Sequence, residues 1–211
     1  MENNFDFSIW SPHQESFIAD YCHQSYWSRE SFLNPEQTQL LLQESLKLEE
    51  RDALEPASIG KGLGKERNTT IRTDEIYWID TFQTEATQLV YQIYEGLRLL
   101  AKKELYLPLR RFECHFSQYK PGGYYRKHRD RHQVMPSRLL SCVVYLSDMK
   151  RVEGGELVLY PEGAEPIVIQ PTPGRIIVFD SELEHEVMPC TVHRRSLTGW
   201  LRSDLHPGLN I

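Results

Sequence analysis

Residues 120–133 read KPGGYYRKHRDRHQ: a histidine and an aspartate two positions apart, set among five cations. A solvated basic loop would account for Lys120, Arg126, Lys127, Arg129 and Arg131, but would leave His128 and Asp130 without a purpose. A strand accounts for more. Successive Cβ atoms of a strand point to opposite faces. Over 123–130 this places Arg126, His128 and Asp130 on one face and Lys127, Arg129 and Arg131 on the other. The His-x-Asp pair can then converge on one ion while most neighbouring cations face water. Two ligands do not make a metal site, so a third has to come from elsewhere in the chain.

Working outward, the texture after about Leu109 is that of a β protein. Runs at 110–119, 123–130, 138–147, 156–160, 166–170, 175–180, 185–190 and 194–202 are short, mostly β-branched or aromatic, and bounded by Gly, Pro or Asp. This density of short strands predicts an antiparallel sandwich or barrel rather than βαβ units. Upstream the chain reads as helix and loop. Asn34-Pro35 opens a helix, with Asn as cap and Pro at the first helical position. Leu40, Leu41, Leu42, Leu46 and Leu48 give it an apolar face to about Arg51. A weaker helix is expected over Pro12 to Cys22, and "IYWID" at 76–80 reads as a short strand. Thr84 to Lys103 is the best helix, with Ala86, Leu89, Val90, Ile93, Leu97 and Leu100 at helical spacing. Residues 1–108 are thus read as a helical and loop support and 109–211 as a β core, together one structural domain.

The third ligand is expected at His185, in "ELEHEVMPC", after the buried-looking strand "GRIIVFD". Two imidazoles and one carboxylate suit non-haem Fe(II) and leave coordination positions open, whereas a structural zinc site is closed by four protein ligands. A 2-oxo acid fills two open positions and dioxygen a third. "HRRSLTGWLR" supplies a holder for the far end of such a cosubstrate. Arg194, Ser196, Thr198 and Trp200 share one strand face, and a guanidinium clamps a carboxylate through paired, charge-assisted hydrogen bonds. His115, His132 and His193 lie in the same region and stand as alternative ligands at this point.

Composition narrows the function. A net charge of −6 over 211 residues argues against a broad nucleic-acid footprint, though not against a local basic rim. The start, MENNFDFSIWSPHQ, is no secretory signal, and no stretch approaches a membrane span. Cys22, Cys114, Cys142 and Cys190 are scattered, so reduced thiols and a cytoplasmic location are expected. "EPASIGKGLGKERNTT", residues 55–70, looks like a mobile loop; Gly64-Lys65 is followed by Glu66, which rules out a phosphate loop.

The ordered segments "QYKPGGYYRKHRD", "LLSCVVYLSD", "GGELVLYP", "GRIIVFDSELEHEV" and "RRSLTGW" resemble those of the 2-oxoglutarate and Fe(II)-dependent dioxygenases. The resemblance is closest to the prolyl hydroxylase branch, and "IRTDEIYWID" extends it upstream. It implies a double-stranded β-helix, or jelly roll, with helices on one outer side. It assigns His128, Asp130 and His185 to iron as the catalytic set and Arg194 to the distal carboxylate of 2-oxoglutarate. Tyr119 matches a pocket-lining tyrosine, Tyr145 one that hydrogen-bonds that carboxylate, and Thr198 and Trp200 the pocket wall beyond the arginine, while Ser196, on the same strand face as Arg194, offers a hydroxyl that can add a further hydrogen bond to the carboxylate. Gly154-Gly155 matches a tight turn, and Arg126 is a candidate contact for a substrate peptide. The activity implied is oxidative decarboxylation of 2-oxoglutarate to succinate and CO₂, coupled to hydroxylation of a prolyl residue in a protein, with ascorbate as an accompanying reductant. Retention of the Asp130 carboxylate separates the chain from the halogenases of this fold. Bacterial relatives suggest a translation component as the partner. A small molecule or a nucleic-acid base as substrate, or a low-turnover sensing module, are the competing readings.

Overall fold

In a computed structural model, which describes residues 5–57, 70–147 and 154–205, two β-sheets face each other. The strands are β1 (Tyr26–Arg29), β2 (Glu55–Pro56), β3 (Glu75–Trp78), β4 (Arg111–Tyr119), β5 (Tyr125–His128), β6 (Arg138–Tyr145), β7 (Leu157–Tyr160), β8 (Ile167–Ile169), β9 (Ile176–Asp180), β10 (Glu184–Val187) and β11 (Arg194–Arg202). The larger sheet runs β1-β9-β6-β11-β4-β3-β2 and the smaller one β5-β10-β7-β8. All named pairings are antiparallel. This is the jelly roll expected, and each of the eight C-terminal runs becomes one of its strands. The run at 123–130 is shorter than its sequence suggests. Strands β1 and β2 fall in the half read as helix and loop and add edges to the larger sheet.

The helices α1 (Gln14–Gln24), α2 (Pro35–Glu50) and α3 (Glu85–Glu104) form the support. Asn34 and Thr84 each cap a helix through a reciprocal box with the third residue, Gln37 and Thr87. Each such cap is worth about 1 kcal/mol. Every apolar residue expected on the inner face of α3 is buried. The sheet strands divide their side chains by parity. Leu140, Cys142 and Val144 of β6, Ile176 and Val178 of β9, and Leu197 and Leu201 of β11 join the helical layer in one core. Val143, Tyr145, Ile177 and Phe179 point the other way and form a second core between the sheets, with Leu157, Leu159 and Val187 of the smaller sheet. The functional side chains project into this second space.

Gly199 sets how closely helix and sheet approach. A Cβ there would lie 2.6 Å from the Glu113 carbonyl oxygen, 2.7 Å from Cys114 Cβ and 2.7 Å from the Tyr94 ring. Gly199→Ala is therefore expected to destabilise the fold by about 1–3 kcal/mol, the usual cost of overpacking, read as a lower denaturant midpoint. An unchanged midpoint would mean that α3 is free to move outward. All four cysteines are free. Among the described residues, no helix is long and apolar enough to cross a membrane. Most of the 55–70 loop, residues 58–69, lies outside the described residues.

Candidate active site

His128 and His185 stand opposite each other in the β5–β10 pairing. That register brings together residues 57 positions apart, and Asp130, just past the end of β5, completes the group. One ligand atom from each of the three lies within 4.8 Å of the others. His128 Nε2 is 3.5 Å from Asp130 Oδ1, and His185 Nε2 is 3.4 Å from Asp130 Oδ2. Ligands about 2.1 Å from one ion on one octahedral face sit roughly 3 Å apart, so these side chains need little adjustment to hold one. The imidazoles are oriented for it. His128 Nδ1 donates to the Arg126 carbonyl at 2.9 Å and His185 Nδ1 to the Leu183 carbonyl at 2.8 Å. A carbonyl only accepts, so Nδ1 carries the proton and Nε2 keeps its lone pair for a metal.

The electrostatics agree. Burial raises the Asp130 carboxyl, but His185 and His128 outweigh that and hold it well below the usual carboxylate range. Burial, with His185 nearby, lowers His128. His185 is raised, because Asp130 overcomes the opposing effect of burial. His115 also lines the pocket, in edge contact with Trp78 at 4.9 Å. Burial and Arg72 lower its pKa to about 4, so it stays neutral, and it is not part of the ligand cluster.

The far end of the pocket carries the opposite demand. Arg194 opens β11 opposite Tyr119 of β4, and Ser196 two positions on lies opposite Tyr145 of β6. The guanidinium carbon is 5.1 Å from the Tyr119 ring and 5.0 Å from the Tyr145 ring. Arg194 is only 2% exposed, and among the described residues its guanidinium makes a long 3.4 Å bond from Nη1 to Ser196 Oγ. Among the described residues, neither Arg194 Nε nor the Tyr145 hydroxyl has a hydrogen-bond partner. Burial raises the Tyr145 phenol, so it stays protonated and able to donate. A buried cation and a buried donor without partners are costly unless an anion sits between them. A carboxylate fits this end. Thr198 and Trp200 line the wall on the same face of β11.

Arg126 does not lie where alternation places it. His185 and Val187 of β10 pair with His128 and Tyr125 of β5, so β5 carries one extra residue, a bulge. The bulge shifts parity: Tyr125 turns inward and stacks on His128 at 3.6 Å, while Arg126 is exposed and its Nε donates to the Thr70 carbonyl at 2.6 Å. Gly154 and Gly155 have φ of +91° and +76°, the left-handed backbone expected of that turn.

Besides Tyr125, sequence reasoning passed over Arg72, Asp74, Ser141 and Ser181. Arg72 lines the pocket, holds Asp74 through two bonds of 2.7 and 2.6 Å, and lies 4.4 Å over the Tyr125 ring. Ser141 Oγ donates to Asp130 Oδ2 at 2.6 Å and lies 2.8 Å from Ser181 Oγ. The strand run 138–147 held the signal for Ser141: a serine alternating with apolar positions on the inward face.

A jelly roll with an open His-Asp-His cluster at one end of a buried pocket, and the buried Arg194 at the other, defines a metal-dependent oxygenase class. Comparison with known proteins agrees. Residues 114–202 match the model of the 2OG-Fe(II) oxygenase superfamily. A solved prolyl-4-hydroxylase from Pseudomonas putida is 33% identical, with a TM-score of 0.82 over 92% of this chain and 100% of that one. A Trichoplax adhaerens prolyl hydroxylase, solved with a peptide fragment of the hypoxia inducible factor oxygen degradation domain, shares the fold at 19% identity, with a TM-score of 0.80 over 96% of this chain and 94% of that one. The hypoxia-inducible factor prolyl hydroxylase of Caenorhabditis elegans is 28% identical over 81% of this chain, which spans 25% of that relative's length. The chain belongs to the 2OG-Fe(II) oxygenase superfamily, in its prolyl hydroxylase-type branch. Its ligand cluster and its arginine end fit the iron and the 2-oxoglutarate of that family.

Proposed function

We propose that this chain is a dioxygenase that hydroxylates a prolyl residue of a protein, consuming 2-oxoglutarate and releasing succinate and CO₂. In this reading His128, Asp130 and His185 hold the iron, Arg194 and Tyr145 grip the distal carboxylate of 2-oxoglutarate, and Tyr119, Ser196, Thr198 and Trp200 shape the wall around it. The observation that carries the reading is the continuity of one pocket, lined by the ligand cluster at one end and at the other by the buried Arg194, whose Nε has no hydrogen-bond partner among the described residues. Bound there, Fe(II) supplies dioxygen activation coupled to decarboxylation of the 2-oxo acid.

The chain's own residues do the rest. Arg194 and Tyr145 fix one end of the cosubstrate, so its 2-oxo group is presented to the metal in a single orientation. Val143, Leu157, Phe179 and Val187 line the pocket with apolar surface that excludes water from the reacting centre. The cations of residues 126–131 are engaged with the protein. Arg126 bonds the Thr70 carbonyl, Lys127 lies 3.4 Å over the Tyr160 ring, Arg129 faces Glu184 at 3.7 Å and Arg131 faces Glu182 at 3.1 Å. Cations already engaged with a carbonyl, a ring or, for Arg129 and Arg131, a carboxylate are poor material for a phosphate-binding rim, which favours a peptide over a nucleic-acid substrate. The peptide held by the Trichoplax adhaerens protein points the same way.

Two measurements test this. With Fe(II), ascorbate and 2-oxoglutarate but no added substrate, slow uncoupled succinate formation is expected. With a cell lysate, one added oxygen atom is expected on proline in a tryptic peptide. Modified oligonucleotides or metabolites with no modified proline would transfer the assignment to those substrates, and an absence of succinate would leave a sensing module.

A further inference from the structure

Strand β4 has an open edge. Over Arg111–Tyr119 it pairs with β11 on one side. On the other side β3 covers only His115–Gln118, with one further bond from the Ile79 amide to the Cys114 carbonyl at 3.0 Å. Among the described residues no strand continues along Arg111–Glu113 on that side. In an antiparallel ladder alternate residues turn their N–H and C=O to the same side. Cys114 faces β3, so Phe112 is the next residue to do so, and its two main-chain groups point into space that no strand fills. That space is a groove of about 650 Å³. Its walls are aromatic: Trp78 at the end of β3, Phe82 beyond it, Tyr91 on α3 and Phe112 itself. Trp78 and Tyr91 are 38% and 40% exposed, so this surface is uncovered. The charges around it balance. Glu95 holds Arg98, Arg111 lies 3.0 Å from Asp204, and Asp80 and Arg110 add one charge of each sign.

The groove is continuous with the catalytic pocket. Trp78 is their common wall: it lines the groove, and its ring lies 4.9 Å from His115 and 6.2 Å from Trp200, both of which line the pocket. Glu113 also lines the groove and binds Arg138 at 2.7 Å, whose guanidinium lies 3.5 Å over the Trp200 ring. We infer that this open edge takes up the substrate polypeptide beside its target prolyl residue, as a strand added to β4. The inference rests on the proposed function and names where that substrate's chain is held. Unpaired main-chain groups at a sheet edge suit an extended polypeptide, which gains affinity through backbone bonds rather than through particular side chains. Balanced charge fits the same occupant. Direction follows from the sheet, in which every pairing is antiparallel. Strand β4 runs from Arg111 towards His115 and Tyr119, so a strand antiparallel to it leaves the pocket at Glu113 and travels towards Arg111. The segment held is therefore the one C-terminal to the prolyl residue. Tyr91 touches that segment and takes no part in the chemistry.

The test uses the full chain and, as probe, a synthetic copy of the tryptic peptide whose proline gains oxygen in the lysate experiment, extended along its parent sequence on both sides. N-methylation of single backbone amides removes one donor at a time. On the C-terminal flank it is expected to raise KM roughly 2- to 12-fold at alternate positions, the effect of one lost hydrogen bond, with kcat unchanged and little effect at the positions between. The N-terminal flank should be insensitive. In hydrogen exchange with Mn(II) and 2-oxoglutarate bound, the Phe112 amide is expected to slow when the peptide is added. Tyr91→Ala should raise KM by at least about 5-fold, as for an anchor residue of an interface, and leave uncoupled succinate formation unchanged. The N-methylated peptides carry the test if Tyr91→Ala does not fold. A KM indifferent to every C-terminal N-methyl group, with the proline still hydroxylated and Phe112 exchange unaltered, would overturn the added strand and leave the proposed function standing. Phe112 protected already in the free chain would give the edge to the chain itself, or to a second copy where protection grows with protein concentration, and would overturn the inference as well. A lysate with no modified proline would overturn the proposed function and this inference together.

Discussion

His185→Ala is expected to remove metal-dependent turnover, with succinate formation and Mn(II) affinity each falling by more than the roughly 100-fold seen when a ligand's own hydrogen-bond partner is removed. The size follows from geometry. His185 lies opposite His128 across the β5–β10 pairing, and its ring is set by the bond from Nδ1 to the Leu183 carbonyl. No histidine, cysteine or carboxylate outside the trio joins the cluster among the described residues, so a neighbour cannot substitute. Without His185, Asp130 also loses a group that helps to hold it ionised in a buried position. Succinate production at the parental rate would refute the ligand assignment, and parental circular dichroism would show that the loss is not one of folding.

What the chain displays in sequence and what it hides have physical causes. The eight C-terminal strands were legible because each combines β-branched or aromatic residues with Gly, Pro or Asp at its ends, signals that are local. Helix α3 was legible for the same reason, and both principal caps follow from Asn34-Pro35 and Thr84. Strand β1 was not. Tyr26–Arg29 is short, begins two residues after a helix ends, and becomes a strand only because β9 offers it an edge. The bulge in β5 was hidden as well, since strict alternation is the only inference a strand pattern permits. It exchanged Tyr125 for Arg126 at the pocket. The metal trio could be named from spacing and resemblance. Alternation marked Ser141 as an inward-facing serine, but its bond to Asp130 and its contact with Ser181 could not be read, because a serine in an apolar strand gains its partner only when the sheets close. Arg72 and Asp74 sat unremarked before a strand for the same reason: the bond between them is visible, but the pocket they border is made by β5.

Arg194→Ala is expected to weaken 2-oxoglutarate binding by about 2–5 kcal/mol, the range for deleting one partner of a buried charge pair, or on the order of 30-fold to several thousand-fold in affinity. Mn(II) binding should be nearly unchanged. The two effects separate because the arginine lies at the other end of the pocket from the ligand cluster, on the opposite sheet. Lysine at this position should recover only part of the loss, since an ammonium cannot present two parallel donors to a carboxylate. Strand parity excludes the adjacent cation from the role. Arg195 points to the helical side, where it pairs with Glu49 of α2, and Arg195→Ala should leave 2-oxoglutarate affinity as it is. Titration of 2-oxoglutarate in the presence of Mn(II), with the metal constant measured separately, reads both quantities. Parental 2-oxoglutarate affinity in Arg194→Ala would mean that the cosubstrate enters another way, and that the buried guanidinium, without a counter-ion among the described residues, answers a different anion.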